Sequence, residues 1–238
     1  MIELYYWPGI QGRGELIRLA LEDSATPYVD VARGPEGMAA LRAMMSVESA
    51  GDGPVPFAPP IVRDGDLVLA QTANILHYLG ARVGLAPDDE RGRLRAHQLQ
   101  LTIADFFDEV HDTHHPIGSS LYYEDQKPEA AKRTQAFLRE RMPKFLGYFE
   151  REIARHDDPC SLGRHSYVDL SLFQVIEGLR YAFPRAMAAF EPSIPRLVAL
   201  RDRVSARPNV ALYLQSPRRL PFSEHGIFRR YPELDVGG

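Results

Sequence analysis

The stretch Ile2-Glu3-Leu4-Tyr5-Tyr6-Trp7-Pro8-Gly9-Ile10-Gln11-Gly12-Arg13-Gly14-Glu15-Leu16-Ile17-Arg18 decides how the rest of the chain is read. Ile2 to Tyr6 is short, apolar and aromatic, and Trp7-Pro8-Gly9 bounds it, which predicts a buried strand followed by a loop. From Gly14 onward, Leu16, Ile17, Leu19, Ala20 and Leu21 give a helix with a broad apolar face. A strand, a loop and a helix in that order place the loop at a helix N-terminus. Unpaired backbone N–H groups and the helix dipole favour an anion there.

Outward from this unit, Tyr28-Val29-Asp30-Val31 predicts a second strand and Met38 to Met45 a helix, with a loop from Ser49 to Pro60. Ile61-Val62 and Leu67-Val68-Leu69 flank Asp64-Gly65-Asp66, a hairpin signal. Thr72 is the expected cap of a helix running through Leu79 and ending at Gly80. The order β-α-β-α-β-β-α within about 80 residues is the thioredoxin-like arrangement. Beyond it, Arg91 to Thr113, Pro128 to Ile153, Tyr167 to Phe183 and Ser193 to Ala206 carry helical periodicity without intervening strands. Ser166 with Asp169 three residues later forms an acidic capping box. The expected fold class is an α/β thioredoxin-like N-terminal domain plus an all-α helical C-terminal domain. The expected division is residues 1–82, a linker at 83–90, a helical bundle at 91–216 and an irregular tail at 217–238.

Composition agrees with two modest folded domains. The 238 residues are 45% hydrophobic and 25% charged. The net charge of −4, from 28 basic and 32 acidic residues, excludes a global field that would attract nucleic acid or anionic lipid. Residues 1–82 hold 10 acids against 6 arginines, whereas residues 83–238 hold 22 acids and 22 basic residues, a change that marks the same boundary. No apolar run is long enough for a transmembrane helix. Met1 to Tyr5 lacks the basic and apolar regions of a signal peptide, so the expected compartment is the cytoplasm. Cys160 is the single cysteine, which excludes an intrachain disulfide. Its neighbours Asp157 and Asp158 raise a thiol pKa and argue against a nucleophile. No Gly-x-Gly-x-x-Gly follows a strand, and no phosphate loop is present.

The loop between the first strand and first helix contains no cysteine, so the chain cannot exchange dithiols with its own side chains. A thiol must come from outside. Tyr6-Trp7, Gly12-Arg13, Glu15, Ile17-Arg18, the stretch from Pro60, Gln71-Thr72-x-x-Ile75-Leu76 and the Ser166-x-x-Asp169 helix start together resemble cytosolic glutathione S-transferases of the tyrosine-dependent type. The resemblance covers roughly residues 2–215. It implies a homodimer that uses glutathione as co-substrate, with no metal, and a hydrophobic small-molecule electrophile as second substrate. Nucleic acid and membrane are not implied as partners.

Carried over residue by residue, the resemblance makes Tyr6 the catalytic hydroxyl, donating to the cysteinyl sulfur, with Arg13 supporting the thiolate. Counted back from Gly12-Arg13 without a gap, the family tyrosine falls on Trp7, so this loop carries one extra residue at Pro8-Gly9. Tyr5 is the alternative hydroxyl. Gln71 and Thr72 would take the γ-glutamyl carboxylate. Pro60, eleven residues before Gln71, would be the cis-proline, and the residue before it would pair its backbone with the cysteinyl unit. Here that residue is Pro59, which has no N–H to give. Trp7 and Arg42 complete the glutathione contacts, Arg42 toward the glycyl carboxylate. Asp105, or alternatively Asp108, would reach the glutathione amine. Ile10, Phe106, Tyr122 and Tyr123 are the expected lining of the electrophile site.

His111 and His115 stand i,i+4 on a helix face, near Asp108, Asp112 and His114. One segment supplies them all, no glutamate lies between them in a zinc-protease pattern, and Pro116 ends the helix. No metal is therefore expected there. Arg218-Arg219 and Arg229-Arg230 are read as ordering the tail against acidic surface. The same site would also serve a glutathione-dependent peroxidase, isomerase or dehalogenase, or a non-catalytic binding module. Product analysis separates these.

Overall fold

In the computed structural model, which describes residues 1–50 and 55–235, the N-terminal part is a four-stranded sheet flanked by helices. Its strands are β1 (Ile2–Tyr5), β2 (Tyr28–Asp30), β3 (Ile61–Asp64) and β4 (Leu67–Ala70), in the order β2-β1-β3-β4. β1 runs parallel to β2 and antiparallel to β3, and β3 turns into β4 at Gly65, whose φ is +62°. Only residues 51–54 of the expected loop and residues 236–238 of the expected tail lie outside the described residues.

Strand alternation sorts the side chains of β1 between two cores. Ile2 and Leu4, with Tyr6 beyond the strand end, join the main cluster with helices α1 (Gly14–Asp23) and α4 (Thr72–Arg82). Tyr5 points the other way, with Ile61, toward Leu41 of α2 (Gly37–Met44). The short helix α3 (Val47–Ala50) follows α2.

Two expectations at α4 are corrected. Thr72 is the first helical residue rather than the cap; Gln71 occupies the cap position with φ +69° and ψ 117°. Gly80 does not end the helix, which continues to Arg82. A Cβ on Gly80 would stand 2.4 Å from the Tyr167 ring, so the glycine permits close approach of a second helix instead of serving as a C-cap.

The C-terminal part is helical: α5 (Glu90–His111), α6 (Lys127–Ala136), α7 (Met142–Ile153), α8 (Tyr167–Ala182), α9 (Pro184–Phe190), α10 (Pro195–Ser205) and α11 (Pro208–Leu214). The single helix expected over 128–153 is interrupted by a π-type turn at Phe137–Arg141. Pro143, just beyond it, lacks an N–H and its ring would clash with the carbonyl four residues back, so a regular α-turn cannot pass through. α9 and α11 were not expected. Pro184 and Pro208 are each the first residue of a helix, where the missing N–H costs nothing.

α8 is held at its start by the expected capping box. The buried Asp169 carboxylate accepts from Ser166 N–H at 2.7 Å, Ser166 Oγ at 3.0 Å and Ser161 N–H at 2.7 Å. The helix is buried on nearly every face and packs against α1, α5 and α10. One continuous apolar cluster therefore runs from β1 through α1 into the helical part. Leu85 and Ala86, in the connecting segment, are buried within it, and the Leu85 carbonyl accepts from Tyr167 N–H at 2.9 Å.

The tail has no helix or strand from residue 217 to 235, yet it is tied down along its length. Arg218 pairs with Glu22 at 2.8 Å and Arg219 with Glu15 at 2.6 Å, as expected of tail arginines meeting acidic groups. Phe228 packs over Gly178 and edge-on to Phe107. The Asp235 carboxylate accepts the first free N–H groups of α9, from Arg185 and Ala186.

Candidate active site

The sheet register brings the candidate residues to one edge. Tyr5 is opposite Ile61, and Ile61 is opposite Ala70. The next residues at that edge are Tyr6, Pro60 and Gln71, on three adjacent strands about 5 Å apart. The N-termini of α1 and α4 open beside the same edge, since α1 follows β1 and α4 follows β4 directly. Two positive dipole ends thus converge where an anion would sit.

Tyr6 is almost fully buried and its ring lies flat against the start of α1. A Cβ at Gly12 would fall 2.1 Å from the Tyr6 hydroxyl, and one at Gly14 would fall 2.5 Å from its ring. Gly12 also has φ +49°. The Gly-Arg-Gly sequence is therefore what allows this tyrosine to approach the helix. The Tyr6 hydroxyl oxygen accepts the Arg13 backbone N–H at 2.9 Å. Burial raises the phenol pKa, against the downward pull of that N–H and of the Arg13 and Arg18 charges. The group stays a neutral phenol at pH 7. Its oxygen already accepts one bond, which polarises its proton for donation to a second group.

Tyr5 faces the opposite side of the sheet and donates to Glu3 Oε2 at 2.9 Å, away from the α1 N-terminus. The Arg13 side chain pairs with Asp108 on α5. Asp108, rather than Asp105 one turn earlier, is the α5 carboxylate that meets the loop. Asp105 is exposed.

At the start of α4, the Thr72 hydroxyl is buried and, among the described residues, has no hydrogen-bond partner. Such a group is costly unless something else accepts or donates there. Gln71 beside it is held at positive φ without being glycine, a conformation that clusters at binding sites. The Pro59–Pro60 bond is cis, as the resemblance implied for Pro60. Trp7 is partly exposed on the loop, Ile10 is half-buried against the core, and Arg42 is exposed on α2.

Two expected lining residues are corrected. Phe106 is wholly buried and stacks between Phe137 and Phe145 at 5.7 and 4.7 Å, so it belongs to the helical core. Tyr123 is also buried, with its hydroxyl donating to Glu233 at 2.9 Å and its ring stacked on Tyr231. Tyr122 is exposed. The buried Cys160 thiol is pushed up to about 11 by burial first and neighbouring aspartates second, which leaves it inert at neutral pH.

Sequence reasoning missed Gln11 and the tail. Gln11 donates to the Leu220 carbonyl and accepts from Gln174 Nε2 at 2.7 Å, so the loop before α1 is braced from α8 and from a segment 209 residues away. Pro221, Phe222 and Phe228 close a small cavity over Gln11 and Gly12. No local signal announces a contact at that separation.

A thioredoxin-like half joined to a helical half presents a buried phenol at a helix N-terminus. The family model for the glutathione S-transferase C-terminal domain matches residues 111–217. The chain is 26% identical to a glutathione S-transferase of Plasmodium falciparum, over 90% of this chain and 94% of that one. It is 28% identical to glutathione S-transferase P 1 of Xenopus laevis, over 91% and 92% of the two chains. Its fold is similar to prostaglandin synthase D of Nilaparvata lugens, with a TM-score of 0.70 and 20% identity across 93% of this chain and all of that one. Along about nine-tenths of its length the chain is thus similar to glutathione S-transferases, and its helical part matches their C-terminal domain model.

Proposed function

We propose that this protein is a glutathione transferase in which Tyr6 holds the cysteinyl sulfur of glutathione as a thiolate for attack on a hydrophobic electrophile. The observation that carries this reading is the Tyr6 hydroxyl seated on the Arg13 N–H at the start of α1. The cysteinyl S–H loses its proton to water, the phenol donates to the resulting thiolate, and the sulfur then bonds to the electrophilic carbon as that carbon's leaving group departs with its electron pair. Hydrogen bonding to the charged form lowers a thiol pKa that begins at about 8.5. Positioning and thiolate stabilisation are the protein's contribution.

In this reading the tripeptide lies across the strand ends. The Thr72 hydroxyl, Gln71 and the α4 N-terminus take its γ-glutamyl carboxylate, which would give the buried Thr72 Oγ1 its partner. Arg13, already paired with Asp108, positions the loop around the sulfur, and residues 1–82 form the glutathione domain. The electrophile would enter beside Ile10 and the tail. The test is conjugation of an activated aryl halide by the purified chain with glutathione, followed as release of halide and formation of the thioether. Absence of thioether at saturating glutathione would contradict the reading.

Pro59 offers no N–H to the cysteinyl backbone, so one main-chain hydrogen bond is lacking in this reading. Pro59→Leu is expected to tighten glutathione binding about fivefold, the equivalent of about 1 kcal/mol for one hydrogen bond, in a calorimetric titration. Equal or weaker binding would show that the bond is not made there.

We also read the chain as a cytoplasmic homodimer. Leu94 and Leu101, seven residues apart on one face of α5, are both exposed large apolar residues, and so is Leu67 on β4. Light scattering should return twice the chain mass of 26.8 kDa. Leu94→Glu with Leu101→Glu should return the single chain, and a monomeric parent protein would contradict the assignment.

A further inference from the structure

α5 ends at His111, and the turn after it carries His114 and His115. The fold closes this turn so that all three imidazoles meet. Ring centroids stand 4.9 Å apart for His111 and His115, 5.1 Å for His111 and His114, and 4.7 Å for His114 and His115. One ring nitrogen from each can be chosen so that all three lie within 4.8 Å of one another. His114 is wholly buried, His115 nearly so, and His111 sits at the rim.

The tail fixes which nitrogen of His114 faces the cluster. His114 Nε2 is 2.8 Å from the Ile227 carbonyl oxygen. A carbonyl only accepts, so Nε2 carries the proton and Nδ1 carries the lone pair. That Nδ1 faces His115 Nδ1 at 2.5 Å. Two lone pairs cannot share so short a gap unless a proton or a cation lies between them. A backbone carbonyl on the remote N–H is also the outer partner that metal-bound histidines ordinarily have, since it sets both tautomer and ring orientation.

We propose that His111, His114 and His115 form a tri-histidine site for a divalent transition-metal ion of the zinc type, separate from the glutathione reaction, which ties the end of α5 to the tail at Ile227. Three imidazoles without thiolate select zinc, nickel or copper over magnesium or calcium. In a tetrahedral centre with bonds of 2.0–2.1 Å the nitrogens stand roughly 3.3 Å apart. Ring rotations that move the outer nitrogens by about an ångström therefore close the site, and the rim position of His111 leaves room for them. Arg13, Arg229 and Arg133, the last paired with Asp112 at 3.6 Å, oppose a cation here, while Asp108, Asp112 and Glu124 favour it. Three carboxylates face three guanidiniums, so the surrounding charges cancel and the imidazoles decide the site.

The test uses the full chain without an affinity tag, dialysed against chelator and titrated with Zn²⁺ in the absence of glutathione, with Co²⁺ as the spectroscopic probe. The expected result is one Zn²⁺ per chain, a tetrahedral Co²⁺ visible spectrum, and a melting temperature that rises with Zn²⁺. His111→Ala and His115→Ala should each weaken binding at least tenfold. His77→Gln with His97→Gln, which removes a two-histidine pair with centroids 4.9 Å apart, should leave the stoichiometric site intact. If His115→Ala does not fold, His111→Ala at the rim still decides the matter. Absence of stoichiometric binding, or binding unchanged in His111→Ala, would overturn the proposal.

Discussion

Tyr6→Phe should lower kcat/KM for conjugation by about 10- to 100-fold, the value of a hydrogen bond to a charged group at roughly 1.5–3 kcal/mol. The loss should fall mainly on the pH dependence. With the phenol proton gone, the apparent pKa of bound thiol moves back toward the free value of about 8.5, so the deficit is largest near pH 6.5 and shrinks as pH rises. Tyr5→Phe should leave both rate and profile unchanged, because its hydroxyl is committed to Glu3 on the far face of the sheet. Steady-state kinetics of the two variants across pH 6 to 9, with melting curves to verify folding, measure this. An unchanged Tyr6→Phe beside an inactive Tyr5→Phe would move the catalytic hydroxyl one residue upstream.

Glu15→Ala should destabilise the fold by about 3–5 kcal/mol, as expected when one partner of a buried ion pair is removed. Glu15 and Arg18 are both completely buried on α1. The Glu15 carboxylate accepts from the Tyr213 hydroxyl at 2.7 Å, Arg219 at 2.6 Å and Arg18 at 3.3 Å. It therefore ties α1 to α11, to the tail and to the cation beside the Tyr6 ring. Alanine would leave Arg18 with Asp30, at 2.7 Å, as its one carboxylate beside the Gln11 carbonyl at 3.4 Å, and would leave the Tyr213 hydroxyl unpaired in the core. At about 2–4 °C per kcal/mol for a chain of this size, the melting temperature should fall by roughly 10 °C. Denaturant titration of Glu15→Ala against the parent checks this, and a loss below about 1 kcal/mol would show that the network is not a clamp. Glu15→Gln, which keeps one acceptor for Tyr213, should lie between the two.

The features legible in the sequence are those whose cause is local. β1, the loop and α1 follow from an apolar run, a glycine-rich break and helical periodicity. The hairpin at Gly65 follows from turn chemistry, and the start of α8 follows from Ser166 and Asp169. The errors share a different origin. α9 and α11 lie outside the stretches of clear helical periodicity; each opens on a proline, Pro184 or Pro208, a residue type that ends one helix and starts another, and only packing decides which. Gly80 was read as a cap because the approach of Tyr167 comes from 87 residues away. At the site, the strand register is the step that brings Tyr6, Pro60 and Gln71 together, and motif order alone anticipated it. The Arg13–Asp108 pair, the Gln11 brace and the tail cover are long-range contacts with no sequence signature. Phe106 and Tyr123 show the complementary error, in which aromatics near a site turn out to be core.

Stabilisation of the glutathione thiolate is the step on which the proposed reaction depends. The decisive measurement is the ultraviolet difference spectrum of added glutathione across pH, following the thiolate band. A saturating signal whose midpoint lies at least one unit below that of free glutathione, and which reverts toward it in Tyr6→Phe, is the predicted result. Saturable binding with a midpoint equal to that of free glutathione would contradict it.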